Sequence, residues 1–464
     1  DKGEFDLKIQ GDSLPISANF VDVLPNSASK KLSSAWQRLN PSGEMDAVIS
    51  MSHVDDSLSL NMNISPTEVK VHGLDRVTTL NLKSGSIIVD GTDVYFNTIN
   101  FQLQEENAQQ GSVDINGEVH GNQSDFGYML DAKWSDAVID SPLARAITGI
   151  VGGKVAVDFY DTIEPSGIAA ATLSAFGDHE NLSYNIDIIP DSLTATFHDR
   201  EAVAFFDRSN NSQGNTIRVN NDSIYFDYLF GKLGDGEFSV DGKIESGDVV
   251  DGKFDLTWSG PSSDDSLYAI LPEVVGDTLV AIKLQDGLST LPDGKVSFRG
   301  EAWDKLAVSF DGNIEIDGAS IDVGVPLEEI KGVASIFGRY SKEKLDMLEL
   351  SLAFDELSTL GRLVTDIAGS LEYNSDTNQL AFKQMRGESA NGGVTVQGWL
   401  GLDHCKEYEI EVLIAGVELS SVVDKEVVAS LTGDLMGWFS VAGVRGDLES
   451  RRGAGKVLVE NGRL

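Results

Sequence analysis

The chain has one cysteine, Cys405, in 464 residues, so an intramolecular disulfide, a zinc ribbon and a Cys-x-x-Cys redox pair are all excluded. Long apolar runs are missing too: none approaches the roughly 18 residues that a helix needs to span a bilayer. The chain opens Asp1-Lys2-Gly3, with no basic n-region and no apolar h-region. Strand character begins at once, over Asp1 to Asp22, so the sequence is expected to start inside a larger architecture or at a processing site. Any membrane anchor is expected outside it. Basic residues are scarce, 35 Lys and Arg against 74 Asp and Glu, for a formal charge of −39. That charge opposes docking on phosphate backbones and anionic headgroups and removes nucleic acid from the expected partners. Most of the acids alternate with apolar residues or sit in turns, as a solvated face requires.

Signatures of chemistry are equally thin. The six histidines, His53, His72, His120, His179, His198 and His404, show neither His-x-His nor His-Glu-x-x-His spacing, so no single element supplies a metal site. His404 adjoins Cys405, but adjacent residues on a strand point to opposite faces and cannot form a base–nucleophile pair. No Gly-x-Ser-x-Gly elbow, Walker loop or Gly-x-Gly-x-x-Gly before a helix is present. The acid pairs Asp55-Asp56 and Asp264-Asp265 flank turns and read as loop tips, and the Asn220–Ser223 turn lacks the surroundings of a calcium loop. No catalytic residue, metal or cofactor is assigned, and the protein is expected not to be an enzyme.

What the chain does have is glycine in a pattern. Gly-x-apolar-x-apolar-x-Gly occurs seven times, starting at Gly85, Gly111, Gly236, Gly294, Gly312, Gly392 and Gly437, where composition predicts roughly half a copy. Each copy reads as a strand with one apolar and one wet face, bounded by residues suited to hairpin turns or bulges. Hairpins are expected at Asp-Gly and Gly-Asn dipeptides in Ile87–Phe96, Phe238–Ile244, Val249–Trp258 and Phe310–Val323. The three most similar copies start 125 and 156 residues apart.

Between the copies lie short helical patterns near residues 25 to 40, 142 to 152, 272 to 283 and 422 to 431. Pro25, Pro142 and Pro272 suit the first helical position. Leu32, Trp36 and Leu39, like Leu143, Ile147 and Ile150, recur at i, i+4, i+7 and form an apolar stripe. No polar linker separates domains, so one continuous, elongated, mainly β chain with long antiparallel meanders is expected over 1–464. Its approximate units are 1–40, 41–150, 151–292, 293–431 and 432–464.

The final stretch, LTGDLMGWFSVAGVRGDLESRRGAGKVLVENGRL (Leu431 to Leu464), resembles the C-terminal region of AsmA-like and TamB-like bacterial envelope proteins. A helix there leads into a glycine-led strand and then a run of the form Gly-x-Gly-x-apolar-x-apolar-x-x-Gly, here Gly453 to Gly462. The Leu-Pro helices, and the glycine-glycine strand GGVTVQGWL from Gly392, are similar to that family's repeated units. The resemblance implies a strongly curved antiparallel sheet forming a groove, capped by a few short amphipathic helices. It also implies an inner-membrane anchor ahead of Asp1, a periplasmic location, and a part in moving phospholipid and in outer-membrane biogenesis. The family supplies no catalytic residues.

An antiparallel sheet with one apolar face must cover it with a second sheet, with helices or with something that is not protein. About four short helices cannot cover it all, and acyl chains of phospholipid or another lipid would fill the rest. The candidate lining residues are Val113, Ile115, Phe238, Val240, Val296, Phe298, Val394, Val396, Phe439 and Val441. The competing expectations are a structural or adhesive surface protein of closed β-sandwiches, in which two sheets cover each other, and an enzyme acting on polysaccharide.

Overall fold

A computed structural model describes residues 5–16, 40–54, 57–72, 77–91, 93–104, 111–120, 127–151, 157, 160–161, 164–178, 182–197, 200–205, 215–245, 249–262, 284–301, 305–322, 325–341, 344–402, 407–422, 432–445 and 447–463. These residues form 24 strands and two short helices, and every recorded strand pairing is antiparallel. The chain is mainly β, an open antiparallel meander. The expected helices near 25 to 40 and 272 to 283, most of that near 422 to 431, His179, His198, His404, Cys405 and both acid pairs lie outside the described residues.

The chain divides into two compact units, Asp1–Phe230 with Lys243–Gly247, and Gly231–Gly242 with Asp248–Leu464. The first holds β1 (Phe5–Ile16), β2 (Ser42–Val54), β3 (Ser57–His72), β4 (Val77–Asp90), β5 (Asp93–Gln104), β6 (Ser112–His120), β7 (Gly127–Val138), β8 (Ser166–Asp178) and β9 (Leu182–Phe197). Each pairs with the next, and β9 then pairs with both β10 (Arg200–Phe205) and β11 (Thr216–Asn220). A hairpin joins β11 to β12 (Ser223–Leu233), where Asn220 Oδ1 accepts from the backbone N–H groups of Asp222 and Ser223 at 3.2 and 2.9 Å. That asparagine is engaged in its own turn.

The second unit contains the Gly236–Gly242 part of β13 (Gly236–Glu245), then β14 (Val250–Pro261), β15 (Leu288–Gly300), β16 (Ala307–Asp322), β17 (Pro326–Ser341) and β18 (Lys344–Thr359). It continues through β19 (Arg362–Asn374), β20 (Gln379–Ser389), β21 (Gly392–Gly401), β22 (Glu407–Glu418), β23 (Thr432–Val444) and β24 (Asp447–Arg463). From β14 onward each strand pairs with its successor.

Most of the Asp-Gly dipeptides do not make the expected hairpins. Asp90-Gly91 does fall at the β4–β5 turn, with Asp90 opposite Asp93. Asp241-Gly242, Asp251-Gly252 and Asp311-Gly312-Asn313 instead lie inside strands, and Asp317-Gly318 forms a bulge within β16. The reason is space. A Cβ on Gly252 would meet the Phe298 ring at 2.2 Å, and one on Gly242 would meet the Lys253 carbonyl at 2.2 Å and the Phe254 ring at 2.7 Å. Glycine opposite an aromatic residue lets the ring lie flat across the neighbouring strand. The same pairing recurs at Phe96–Gly117, Phe310–Gly338, Phe382–Gly398 and Phe439–Gly455. Two tight turns form elsewhere, at Leu360-Gly361 and Ala390-Asn391, with both central φ angles positive as a type I′ hairpin needs.

Bulges bend the strands. Thr98 in β5, Asp136 in β7, Glu329 in β17 and Gln384 in β20 have φ of 42°, 53°, 51° and 48°, and each sits where the ladder register shifts. A bulge adds twist and curvature to its strand. In the second unit the result is visible in the packing. Ile321 and Leu327, beside the β16–β17 loop, pack against Leu400, Tyr408 and Ile410 near the β21–β22 loop. A flat meander would place those loops at opposite ends. Twist of about 20–25° per strand, accumulated over five strands, turns the sheet by roughly 100–125° and brings them together.

Helix α1 (Pro142–Val151) matches the expected span. Pro142 takes its first position, and the Ser141 hydroxyl oxygen caps it by accepting from the Ala144 N–H at 3.1 Å. Leu143 and Ile147 turn onto the apolar face of β3–β7 and join Val71, Leu80, Ile99, Phe101, Leu103 and Val113. Only the turn α2 (Leu419–Val422) is described of the fourth expected helix; its Leu419 packs with Val417 and Leu435.

Candidate lipid-binding face

The ladder register fixes which side chains share a face, because alternate residues point the same way and paired residues point together. In the first unit Val113 and Ile115 lie between Phe101 and Ile99 on β5 and Trp134 and Ala132 on β7. In the second, Val296 lies between Phe254 and Phe310, and Phe298 between Gly252 and Val308. Val394 lies between Gly387 and Ile414, and Val396 between Met385 and Val412. Phe439 and Val441 continue that row opposite Val412 and Ile410. Phe238 and Val240 alternate with Gly236 and Gly242, whose missing Cβ atoms point at Trp258 and Phe254. Each unit therefore gathers its candidate residues on one apolar face.

The opposite face is polar. There Lys331 pairs with Glu356 at 2.9 Å, Arg218 reaches Asp187 and Asp227 at 3.0 and 3.2 Å, and the Asn100 side-chain amide donates to Asp114 at 2.6 Å. His120 lies on this side between Glu118 and Asp93, and its hydrogen bond to the Glu118 carboxylate raises its pKa. Asp293, accepting from the backbone and side-chain N–H groups of Asn313, is held below the usual carboxylate range. Among the described residues no three His, Cys, Asp or Glu side chains converge as a metal ion would need.

Burial separates packed core from available surface. Of the ten candidates only Val113 is buried, at 7% exposed; Phe439 is exposed and the others are half-buried. Val113 and Ile115 belong to the cluster under α1, Val394 to that around Leu419, and Val396 and Val441 to that around Tyr408. Phe238, Val240, Val296, Phe298 and Phe439 belong to none of the buried clusters formed among the described residues. On β13–β15 the first four form an apolar strip in which the Phe254 and Phe298 rings stack at 5.8 Å. Polar donors also face inward: Trp134 Nε1, Trp258 Nε1 and the Tyr408 hydroxyl are buried with no hydrogen-bond partner among the described residues.

No protein-family model, curated protein or solved structure matches this chain. No helix among the described residues is long and apolar enough to cross a membrane, which leaves open a crossing made of strands. Alternation in the sequence identified the residues of the apolar face. The glycine–aromatic pairs and the mid-strand bulges that shape it went unrecognised, because both depend on which strand lies opposite. A glycine in a strand whose neighbour carries an aromatic residue is the signal that would have revealed the pairs.

Proposed function

We propose that this is a non-enzymatic envelope protein of AsmA-like type, which binds or conducts phospholipid acyl chains along the apolar face of its curved sheet and supports outer-membrane biogenesis. On this reading the full-length protein is anchored in the inner membrane and the sheet lies on the periplasmic side. The observation that carries it is the strip on β13–β15, where Phe238, Val240, Val296 and Phe298 share a face and remain half-buried. Such a surface gains by being covered, and each sheltered CH₂ contributes about 0.8 kcal/mol.

The mechanism is passive. Six methylenes against the strip recover about 5 kcal/mol, close to what the same methylenes lose on leaving a bilayer, so transfer along the face is nearly isoenergetic. Headgroups stay at the polar rim.

The test places a carboxylate on the strip. In Phe238→Asp and Val296→Asp the charge stays near water when no lipid is bound, so a cooperative melt is retained while acyl chains are repelled. Phospholipid co-purifying with membrane-extracted protein, counted by native mass spectrometry, should fall severalfold. Loss of the melt would show instead an unpaired charge buried in a closed core. Wild-type protein that carries no lipid would also reject the proposal.

A further inference from the structure

Alternation breaks down over the last three strands, as it does more briefly where exposed Met129 meets Phe176 on the polar face of β7–β8. Across β22, β23 and β24 the face that is polar elsewhere carries Leu413 opposite Trp438 and Met436 opposite Leu458. The other face carries Phe439, Val457 and Val459. All seven side chains are between 36% and 59% exposed. A strand pair that is apolar and uncovered on both sides has no wet face to present. Among the described residues β24 pairs only with β23.

The charge changes at the same place. The chain carries −39 overall, yet between Arg451 and Arg463 it has Arg451, Arg452, Lys456 and Arg463 against the single acid Glu460. Arg452 and Lys456 project from the newly apolar face, Lys456 directly opposite Trp438, and both are exposed. No ion pair is recorded for Arg451, Arg452 or Lys456 among the described residues.

We propose that the β23–β24 ribbon is a membrane-docking element that seats in the interfacial region of an anionic lipid leaflet. A β-strand added beside β24 would leave both apolar faces wet. A leaflet covers both faces at once, and its headgroups meet the cations. Tryptophan and arginine or lysine beside aliphatic side chains suit that depth. The exposed cations beside Trp438 on the same face hold the ribbon at headgroup level rather than in the hydrocarbon centre. The overall acidity of the chain opposes such docking anywhere else on its surface.

This inference is independent of acyl-chain cargo and is tested on the full chain by flotation with vesicles of phosphatidylcholine alone or with one-third phosphatidylglycerol. Wild-type protein should float with the anionic vesicles, and 0.5 M salt should release it. Each cation near an anionic surface is worth about fivefold in binding, so the exposed double variant Arg452→Gln/Lys456→Gln should bind roughly 25-fold more weakly with an unchanged melt. Trp438→Ser should weaken binding to the anionic vesicles without altering its salt dependence. Phe238→Asp, which empties the strip on β13–β15, should float as wild type does, so a failed cargo proposal and a failed docking proposal give different results. Equal binding to both vesicle types, no binding, or an unaffected Arg452→Gln/Lys456→Gln protein would overturn the proposal. So would a concentration-dependent dimer abolished by Trp438→Ser, which would assign the ribbon to a second copy of the chain.

Discussion

Adding one methyl group at Gly338 tests whether the in-strand glycines are there for the aromatic rings opposite them. Gly338 is buried in β17, opposite Phe310, and its backbone is not in the left-handed region. A Cβ there would stand 2.1 Å from Phe310 Cζ and 2.6 and 2.7 Å from the two Cε atoms. Carbon atoms in contact prefer about 3.5–4.0 Å, so the ring must retreat by roughly 1.5 Å. The space behind it is filled, because Phe310 packs into the cluster of Leu345, Leu348, Leu371 and Leu380.

Overpacking of this kind costs about 1–3 kcal/mol. Alanine restricts the unfolded chain more than glycine and returns about 0.5–1 kcal/mol. Gly338→Ala should therefore destabilise by about 1 kcal/mol in urea melts. Phe310→Leu removes the ring tip and should cost about 1.5 kcal/mol alone, but with the tip gone the methyl group fits. The double variant should then cost slightly less than Phe310→Leu, a coupling of about 2 kcal/mol. Gly361→Ala is the control. It sits in the β18–β19 turn at φ 72° with nothing within 4 Å of the added atom, so its cost of about 1 kcal/mol is conformational and should add to that of Phe310→Leu. A neutral Gly338→Ala, or a Gly338–Phe310 cycle additive within about 0.5 kcal/mol, would refute the pairing.

Two further outcomes follow from local geometry. Ser141→Ala removes the oxygen that caps α1 and should cost about 1 kcal/mol, while Ser141→Asn, which retains a capping group, should cost much less by the same melts. His120 should titrate above its usual value in an NMR experiment, because Glu118 favours the protonated ring. A raised folded-state pKa stabilises below the unfolded value of about 6.5 and loses that contribution as pH rises through the folded value. The melting-temperature difference between wild type and His120→Gln should therefore be present near pH 5.5 and absent by about pH 8.

Alternation and helix punctuation were legible in the sequence because both are local. Val113 and Ile115 revealed their shared face by spacing alone, and Pro142 with Leu143 and Ile147 placed α1 where it is found. Asp-Gly was misleading because one dipeptide has two uses. At Asp90-Gly91 it supplies a positive φ, whereas at Asp251-Gly252 it leaves room for Phe298. Only the partner strand distinguishes them, and Phe298 lies 46 residues away, by subtracting the two positions. The bulges were less legible still, because Thr98, Asp136, Glu329 and Gln384 share no residue type.

Those non-local features decide how much apolar surface stays uncovered. A flat sheet with one apolar face needs a second layer along its whole length. In the second unit bulges and glycine–aromatic pairs let the sheet bend, so part of it becomes its own second layer. Where Ile321 and Leu327 meet Leu400, Tyr408 and Ile410, the face closes into core with Leu400 at 1% exposure. Where β13–β15 present Phe238, Val240, Val296 and Phe298, the same alternation produces half-buried surface with no such cluster. One repeated strand pattern thus yields both a core that holds the unit together and a half-buried apolar strip, which on the proposed reading shelters an acyl chain. A carboxylate should accordingly be tolerated at Val296 yet unfold the unit at Leu400, and equal outcomes at the two positions would show that the strip is as closed as the core.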